Sequence, residues 1–575
     1  MLNPTPNYTQ ALAASGYEFS QGTGYQLPEY PFTAPPELLS GQTGHHDIVI
    51  VGGGLAGLTL ACALNQFGVK AILLDEDNTV GVKGASSRGI CYAQKTLEIF
   101  KRLGLYDRIA AKGVQWSVGR TFAGTDEVYS FDLRQQNTHN VSRQPPFINI
   151  QQFYVEGFLV EQLYKAEDQS VELRWNNRIT AFSQNADLAS LSITTPAGDY
   201  NITASHVVDC SGARSPFRAW VAASVTAKKG DDRWCIADVR FKNPPPVERH
   251  TWIEAPFNEG RAVWQHLMAD GVWRIDYQMR PDADPDEVSR EHVARDRING
   301  QLGRIVPPDE YEIVWVGSYA YRCECLNQLR HGRVFFVGDA AHVVSPFGAR
   351  GGNSGVQDAD NLAWKLAAVV HQRAAPALLD SYHHERHEAA THNVLVTNRT
   401  ARFLRPADGA ERIFRSAAIS LAKRHAFARQ LVNTGRMSSP NVYSRSSACH
   451  SSGGRALQNV ALSWADGSAG DVADLLTWAH GRLLLLVFGS LTNSQAQHVK
   501  ELTRAAGMRC VQVVHQATQA RAKEFVIDNH GHMAGCIDNQ RWAIVRPDSY
   551  LAASGAQLSD AALTQAARAA SGVAP

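Results

Sequence analysis

The sequence predicts a mixed α/β and α+β chain, in which a parallel-sheet fold is interrupted by an antiparallel sheet and followed by a second, smaller α/β unit. Three observations predict it. An apolar strand at 47–51 runs into Gly52-Gly-Gly-Leu-Ala-Gly57 and then into a helical pattern. Short segments rich in Trp, Val and Ile between 232 and 279 are joined by turns containing Pro or Gly. Towards the end, apolar strands at 483–488 and 510–515 bracket a helical stretch around 496–506.

Taken in order, residues 1–44 are rich in Pro, Tyr, Gly and Gln, without the basic start and apolar stretch of a signal peptide, and are expected to form an irregular arm. A strand at 47–51, a helix at 55–67 and a strand at 70–75 make one βαβ unit, the opening of a Rossmann-like domain. Helical periodicity at 93–103 leads through a stretch of mixed pattern to an amphipathic helix at 154–164. Strands at 262–268 and 272–279 belong to the inserted antiparallel sheet. A strand at 334–337 and a helix from about 354 to 370, apolar along Val356, Ala359, Leu362, Ala363, Leu366 and Val370, resume the α/β pattern. The Ser-, Gly- and Asn-rich stretch 438–454 reads as a linker to the last domain.

Composition narrows the function classes. The chain has 575 residues, 44% of them apolar, which is enough for two or three domains with a large core. A formal net charge of +1 leaves no cationic excess for a nucleic acid or an anionic membrane surface. The apolar run 483–488 is far too short to span a bilayer, so no membrane partner is expected. Nine cysteines, an odd number without disulfide-type spacing, suit the reducing cytoplasm. Cys323 and Cys325 have no matching Cys or His pair nearby, so they are read as free thiols and no metal site is assigned.

The glycine motif carries the first chemistry. Gly52 permits a tight turn, Gly54 lets the backbone approach a pyrophosphate, and Gly57 lets helix and strand pack closely, with Leu55 and Ala56 opening the helix. The anion then sits on the helix N-terminus, where free N–H groups and the dipole favour negative charge. Asp75, followed by Glu76, closes the next strand where a ribose-binding carboxylate is expected. This motif alone does not separate FAD from NAD.

A second motif does. Arg333-Val-Phe-Phe-Val-Gly-Asp339-Ala-Ala-His342, followed by Pro346 and a glycine-rich run containing Gly351, Gly352 and Asn353, resembles the second FAD fingerprint of the aromatic-ring flavin monooxygenases of the p-hydroxybenzoate hydroxylase type. The resemblance implies that Asp339 bonds the ribitol of FAD, and that the loop from Pro346 to Asn353 faces the flavin pyrimidine. A glycine-rich loop entering a helix at about residue 354 can also stabilise negative charge on a reduced flavin by the helix dipole, and Asp358 would favour the same dipole from the first turn. Arg88 lies where the family places an FAD-contacting arginine, and Gln152-Phe-Tyr-Val-Glu156 matches its Gln-x-x-x-Glu helix start, whose Gln approaches the flavin. The middle motif departs from the family: Ser211-Gly212 stands where Asp-Gly is usual, and Asp209, two residues earlier, either supplies a carboxylate or caps a turn. The stretch ending in Trp542-Ala-Ile-Val-Arg-Pro-Asp-Ser-Tyr550 resembles the thioredoxin-like tail of phenol and hydroxyphenylpropionate hydroxylases, without a Cys-x-x-Cys pair. Its expected role is structural or dimer-forming.

The resemblance implies a Rossmann-like FAD-binding domain over 45–231 and 326–437, an inserted substrate-domain sheet over 232–325, and a thioredoxin-like domain over 455–575. It implies an enzyme in which NADPH or NADH reduces FAD and oxygen adds to the flavin as a hydroperoxide that hydroxylates a phenolic substrate, a phenolic acid foremost. The alternative is an FAD-dependent oxidoreductase or epoxidase acting on a non-phenolic compound. The inserted sheet should roof the ring, with His266 and Tyr277 as polar candidates and Trp264 as a wall. Pro346 and Arg350 are catalytic candidates on the flavin loop. Arg350 stands where relatives more often carry an uncharged residue, and it would complement a reduced flavin or a substrate carboxylate unless it turns outward into a surface ion pair.

Overall fold

The computed structural model describes residues 7–10, 26–81, 89–135, 141–166, 168–228, 233–303, 310–320, 323–407, 409–434, 437–522 and 524–573. An eight-stranded sheet forms the centre of the first unit. Its strands run in the order Val171–Arg174, Ala71–Leu74, Gly44–Val51, Gly198–Asp209, Ala189–Thr195 and Arg178–Gln184, with Val334–Phe336 and Arg330–His331 attached beside Gly198–Asp209. The pairs from Val171–Arg174 across to Gly198–Asp209, and on to Val334–Phe336, are parallel. Ile48, Val49 and Ile50 are buried without alternation, as a parallel strand covered on both faces requires. Helices Leu55–Gln66, Gln152–Lys165 and Gly351–Val370 pack together over this sheet.

The arm expected to be irregular is partly built into this unit. Asn7–Gln10 pairs with Gln26–Glu29, a short helix spans Pro36–Ser40, and the buried Tyr30 ring stacks on Trp175 at 4.6 Å. The aromatic anchor supplies burial that the polar composition of the arm conceals.

The second sheet has seven strands, in the order Tyr311–Ala320, Arg233–Phe241, Val272–Gln278, Arg261–Leu267, Arg249–Ala255, Val118–Ala123 and Asp126–Asp132. Two features correct the expectation. Its last two strands come from the stretch of mixed pattern well before 232, and the Arg249–Ala255 pairing with Val118–Ala123 is parallel, so the sheet is mixed. Helix Glu291–Leu302 covers its back, over a core that includes Val263, Ile275, Tyr277, Ala294 and Ile298.

In the C-terminal unit Leu484–Phe488, Arg509–Val514 and Phe525–Ile527 are parallel, and helix Asn493–Ala505 makes the first crossover. Trp542–Val545 and Leu551–Gly555 form an antiparallel hairpin on the other side of Leu484–Phe488, and helix Asp560–Ala570 follows. The hairpin turn docks the unit. Arg546 lies between Glu385 and Asp548, at 2.6 and 2.5 Å, and Glu385 also holds Lys365 of helix Gly351–Val370 at 2.8 Å. Arg102 donates to the Pro547 carbonyl at 2.6 Å and pairs with Asp360. The expected linker 438–454 has no helix or strand but is not a free tether, because Tyr443 and Ala448 are buried and the Tyr443 ring stacks on Tyr550 at 4.3 Å.

Candidate cofactor and substrate site

The glycine turn is shaped by its neighbours. Gly52 has a φ of 103°, and a β-carbon there would lie 2.6 Å from the Cys210 carbonyl oxygen. A β-carbon on Gly57 would run into the Gly52 carbonyl oxygen itself. Gly54, by contrast, has open space: a β-carbon would meet only Glu156 Oε1, at 3.9 Å. The backbone of 52–57 therefore closes on the sheet on one side and is bare on the other, where Leu55 and Ala56 begin the helix. That is the cradle a dinucleotide pyrophosphate needs.

Side chains around the turn are largely tied to backbone. The Asp75 carboxylate accepts the N–H of Gly53 and, at 2.7 Å, that of Asp77, while Glu76 points outward to Arg178 at 3.7 Å. Burial pushes the Asp75 carboxyl up to about 6 against those two hydrogen bonds. Gln152 accepts the Gly89 N–H at 2.9 Å and donates to Glu156 at 2.7 Å. Glu156 also accepts the N–H groups of Gly81, at 2.7 Å, and of Leu55. Burial pushes its carboxyl up to about 7, in spite of these donors. The Gln-x-x-x-Glu motif contains both residues, but only the structure shows the fully buried Glu156 carboxylate holding backbone N–H groups of the turn. Arg88 lies outside the described residues.

Asp339 stands exposed in the turn Gly338–Ala340, whose carbonyls at 339 and 340 accept hydrogen bonds from Arg218, both at 2.9 Å. Behind it, buried Asp358 accepts from Gly338 N at 3.0 Å, His342 Nε2 at 2.7 Å and Arg386 Nε at 2.5 Å. Burial works to raise the Asp358 carboxyl, but His342 and Arg386 hold it below the usual carboxylate range. Helix Gly351–Val370 begins three residues earlier than expected, so Asp358 lies beyond the first turn and acts as a clamp on the Gly338 turn. Arg218 and Arg386 were not legible as site residues. Asp209 caps a turn: it accepts from Ser211 N at 3.0 Å, and from Ser211 Oγ and Ser215 Oγ.

The loop from Pro346 ends at Arg350, the N-cap of this helix, whose carbonyl accepts the Ser354 N–H at 2.8 Å. The N–H groups of Gly351 and Gly352 precede that first helical bond. Asn353 is committed to structure, accepting from Ala93 N at 2.8 Å and donating to the carbonyls of Cys91 and Ala349. Arg350 is turned inward, only 3% exposed, which excludes the surface ion pair. Its guanidinium donates to Asn393 Oδ1 at 2.7 Å and to the Met437 carbonyl at 3.2 Å.

The second sheet presents one face to this loop. Trp264 stacks on Trp234 at 4.6 Å and meets the Phe347 ring edge-on at 4.8 Å. Register fixes what shares that face. Trp264 lies opposite Asp276 and His266 opposite Arg274, whereas Tyr277 lies opposite Val263. Successive residues of a strand point to opposite faces, so His266 and Tyr277 cannot both line one pocket. Tyr277 is corrected to the back of the sheet, where its hydroxyl donates to Gln301 Oε1 at 2.9 Å beneath helix Glu291–Leu302. His266 is on the ligand side, 7% exposed, and burial together with Arg249 and Arg274 keeps its imidazole well below its usual range.

A model of the FAD binding domain family matches residues 45–397. The chain belongs to the FAD binding domain family. With the bare glycine cradle already described, FAD is the dinucleotide this family member is shaped to hold. Among curated relatives, the chain is 28% identical over 362 residues to the 3-(3-hydroxy-phenyl)propionate/3-hydroxycinnamic acid hydroxylase of Mycolicibacterium gilvum (strain PYR-GCK), a match covering 63% of this chain and 60% of that protein. It is 27% identical over 378 residues to the para-nitrophenol 4-monooxygenase of Pseudomonas sp. (strain WBC-3), covering 64% of this chain and 89% of the relative. Among solved structures, the flavin-dependent monooxygenase PieE in complex with FAD and substrate superposes with a TM-score of 0.75 at 20% identity, covering 92% of this chain and 98% of that one. The mixed α/β fold with several sheets is thus shared with that structure over 92% of this chain. No helix among the described residues is long and apolar enough to cross a membrane.

Proposed function

We propose that this protein is an FAD-dependent monooxygenase that hydroxylates a phenolic ring, with NADPH or NADH as the reductant and molecular oxygen as co-substrate. The observation that carries the reading is the apposition of two surfaces: the N-terminus of helix Gly351–Val370, reached through Pro346 and Phe347, and the polar and aromatic face of the second sheet. Two relatives whose names describe hydroxylation or monooxygenation of phenolic compounds support it.

FAD, when bound, supplies the redox chemistry and the activation of oxygen. The chain's own residues do the rest. The turn 52–57 and the N-terminus of helix Leu55–Gln66 hold the pyrophosphate, and Asp339 meets the ribitol. Gly351 and Gly352 offer N–H groups, and the positive end of the helix dipole, to the flavin pyrimidine. Trp264, Trp234 and Phe347 exclude water and wall the ring, with His266 beside them as a neutral hydrogen-bonding group.

We read the C-terminal unit as thioredoxin-like in strand order but inert in redox chemistry. The segment after Leu484–Phe488 has no cysteine pair, and burial pushes the thiols of Cys510 and Cys536 up to about 12 and about 11. The proposal is tested by supplying the FAD-loaded protein with a panel of phenols and phenolic acids under NADPH and NADH. The expected result is ligand-stimulated nicotinamide oxidation with a hydroxylated product. A panel that yields only peroxide, with no hydroxylated ring, would overturn it.

A further inference from the structure

Among the described residues, the charged side chains buried on the ligand face of the second sheet are Arg249, Arg274, Asp238 and Asp276, and only one pair of them is closed. Arg274 grips Asp238 with two hydrogen bonds, at 2.8 and 2.9 Å, both side chains being buried. Asp276, 8% exposed, and Arg249, 6% exposed, remain. Among the described residues the Asp276 carboxylate has no hydrogen-bond or ion-pair partner. Arg249 has the Met437 sulfur at 3.7 Å, no carboxylate, and an Nε without a partner. A buried charge without a partner is costly. A site that leaves one carboxylate and one guanidinium open, on the same face and close enough to influence each other, is completed by a ligand with a hydrogen to give and negative charge to receive.

Position says which ligand atom that is. Asp276 lies opposite Trp264, whose ring meets Phe347 of the flavin loop. The carbonyl of Met437, the residue that touches Arg249, accepts from Arg350 at the N-cap of helix Gly351–Val370. Cys91, whose carbonyl accepts from Asn353 of the same helix, is close enough to feel both Arg249 and Asp276. The open pair thus faces the aromatic slot beside the flavin loop.

We propose that Asp276 is the catalytic base that takes the proton from the ring hydroxyl of the substrate, and that Arg249 stabilises the phenolate so formed. The inference rests on the phenolic reading above. In the step, the O–H bond of the ring hydroxyl breaks, the proton passes to a carboxylate oxygen of Asp276, and the electron pair stays on the ring oxygen. Nothing is oxidised or reduced, and the proton returns to solvent when product leaves. The surroundings suit a base working near neutrality. Burial raises the Asp276 carboxyl, Asp238 adds to the rise, and Arg274 and Arg249 oppose it, leaving it at about 7. Among the described residues, buried His266 and the Cys91 thiol, itself pushed up to about 12 by burial, are the other titratable groups close to this pair.

The test uses the FAD-loaded enzyme and p-nitrophenol, whose phenolate is yellow and whose phenol is not. At a pH below the free phenol's own pKa, wild-type protein is expected to bind it with the phenolate band present. Asp276→Asn should bind FAD with an unchanged flavin spectrum and still bind the phenol, but without that band, and should form hydroxylated product about 100-fold more slowly or worse. Asp276→Glu should restore the band in part. A phenolate band of wild-type strength in Asp276→Asn would overturn the assignment to Asp276 while leaving the phenolic reading intact. Failure of wild-type protein to bind p-nitrophenol or any other phenol would instead overturn the phenolic reading itself.

Discussion

The two sides of the site are built from different materials. On the cofactor side the ligand-facing surface is backbone, and the ionisable side chains around it are consumed in holding that backbone: Asp75 on Gly53 and Asp77, Glu156 on Gly81 and Leu55, Asp358 on Gly338. On the sheet side the backbone is committed to strand pairing, and the ligand-facing surface is side chain, with Asp276 and Arg249 left open. A cofactor common to a whole family can be met by a fixed backbone shape. A substrate particular to one member is met by side chains that substitution can change without moving a strand.

The sharpest way to break this comparison is to add a single methyl group on the cofactor side. Gly57→Ala places a β-carbon against the Gly52 carbonyl oxygen, so helix Leu55–Gln66 must move away from the turn it packs on. The expected outcome is protein purified without bound FAD, and destabilised by roughly 1–3 kcal/mol, the usual cost of overpacking. Flavin absorbance and thermal unfolding measure both. A Gly57→Ala protein that binds FAD as tightly as wild type would show that the turn is not the cofactor-shaped surface argued here.

The same contrast explains what was legible in the sequence. The glycine turn, the Gly338-Asp339 turn and the helix after Pro346 could be read because each is local: a strand, a turn and a helix follow one another within a few residues. Arg386 could not, because it reaches Asp358 from helix Asp380–Leu404, twenty-eight positions along the chain. The sheet face was hidden for a different reason. His266 and Tyr277 look equally suitable until register places His266 against Arg274 and Tyr277 against Val263, and the sequence holds no record of register between strands. The strand Val118–Ala123 was hidden too, because it buries Gly119, Thr121 and Ala123 and leaves Val118 and Phe122 half-buried, and its parallel partner Arg249–Ala255 lies more than a hundred residues later.

A second, intermediate effect concerns Glu156. Its carboxyl has an ordinary value of 4.5, and burial raises it to about 7 in the folded protein. The folded state therefore holds the proton more tightly than the unfolded state. The group costs no stability below 4.5, and its cost grows as pH rises from 4.5 to about 7, where the folded protein must bury the charge. In FAD-free protein, wild type should lose stability relative to Glu156→Gln across that window and run parallel to it outside. Melting temperatures of the two proteins measured over the range test this. Curves that stay parallel throughout would mean that Glu156 keeps the same charge folded and unfolded.

The smallest expected effect separates the two faces of one strand. Asp276 and Tyr277 are adjacent in sequence, yet the first faces the aromatic slot and the second lies under helix Glu291–Leu302. Removing the Tyr277 hydroxyl deletes one hydrogen bond to Gln301 and leaves the ring packed against Val263 and Ile298 in the back core. Tyr277→Phe should therefore lower stability by about 1 kcal/mol, the net worth of a partly buried hydrogen bond, because Gln301 can turn to other partners or to solvent. Turnover and the ionisation of bound p-nitrophenol should both remain at wild-type levels, since the hydroxyl touches nothing on the ligand side. A Tyr277→Phe protein of normal stability that had lost the phenolate band would return Tyr277 to the pocket. It would also mean that the register placing it opposite Val263, and with it the case for Asp276, is wrong.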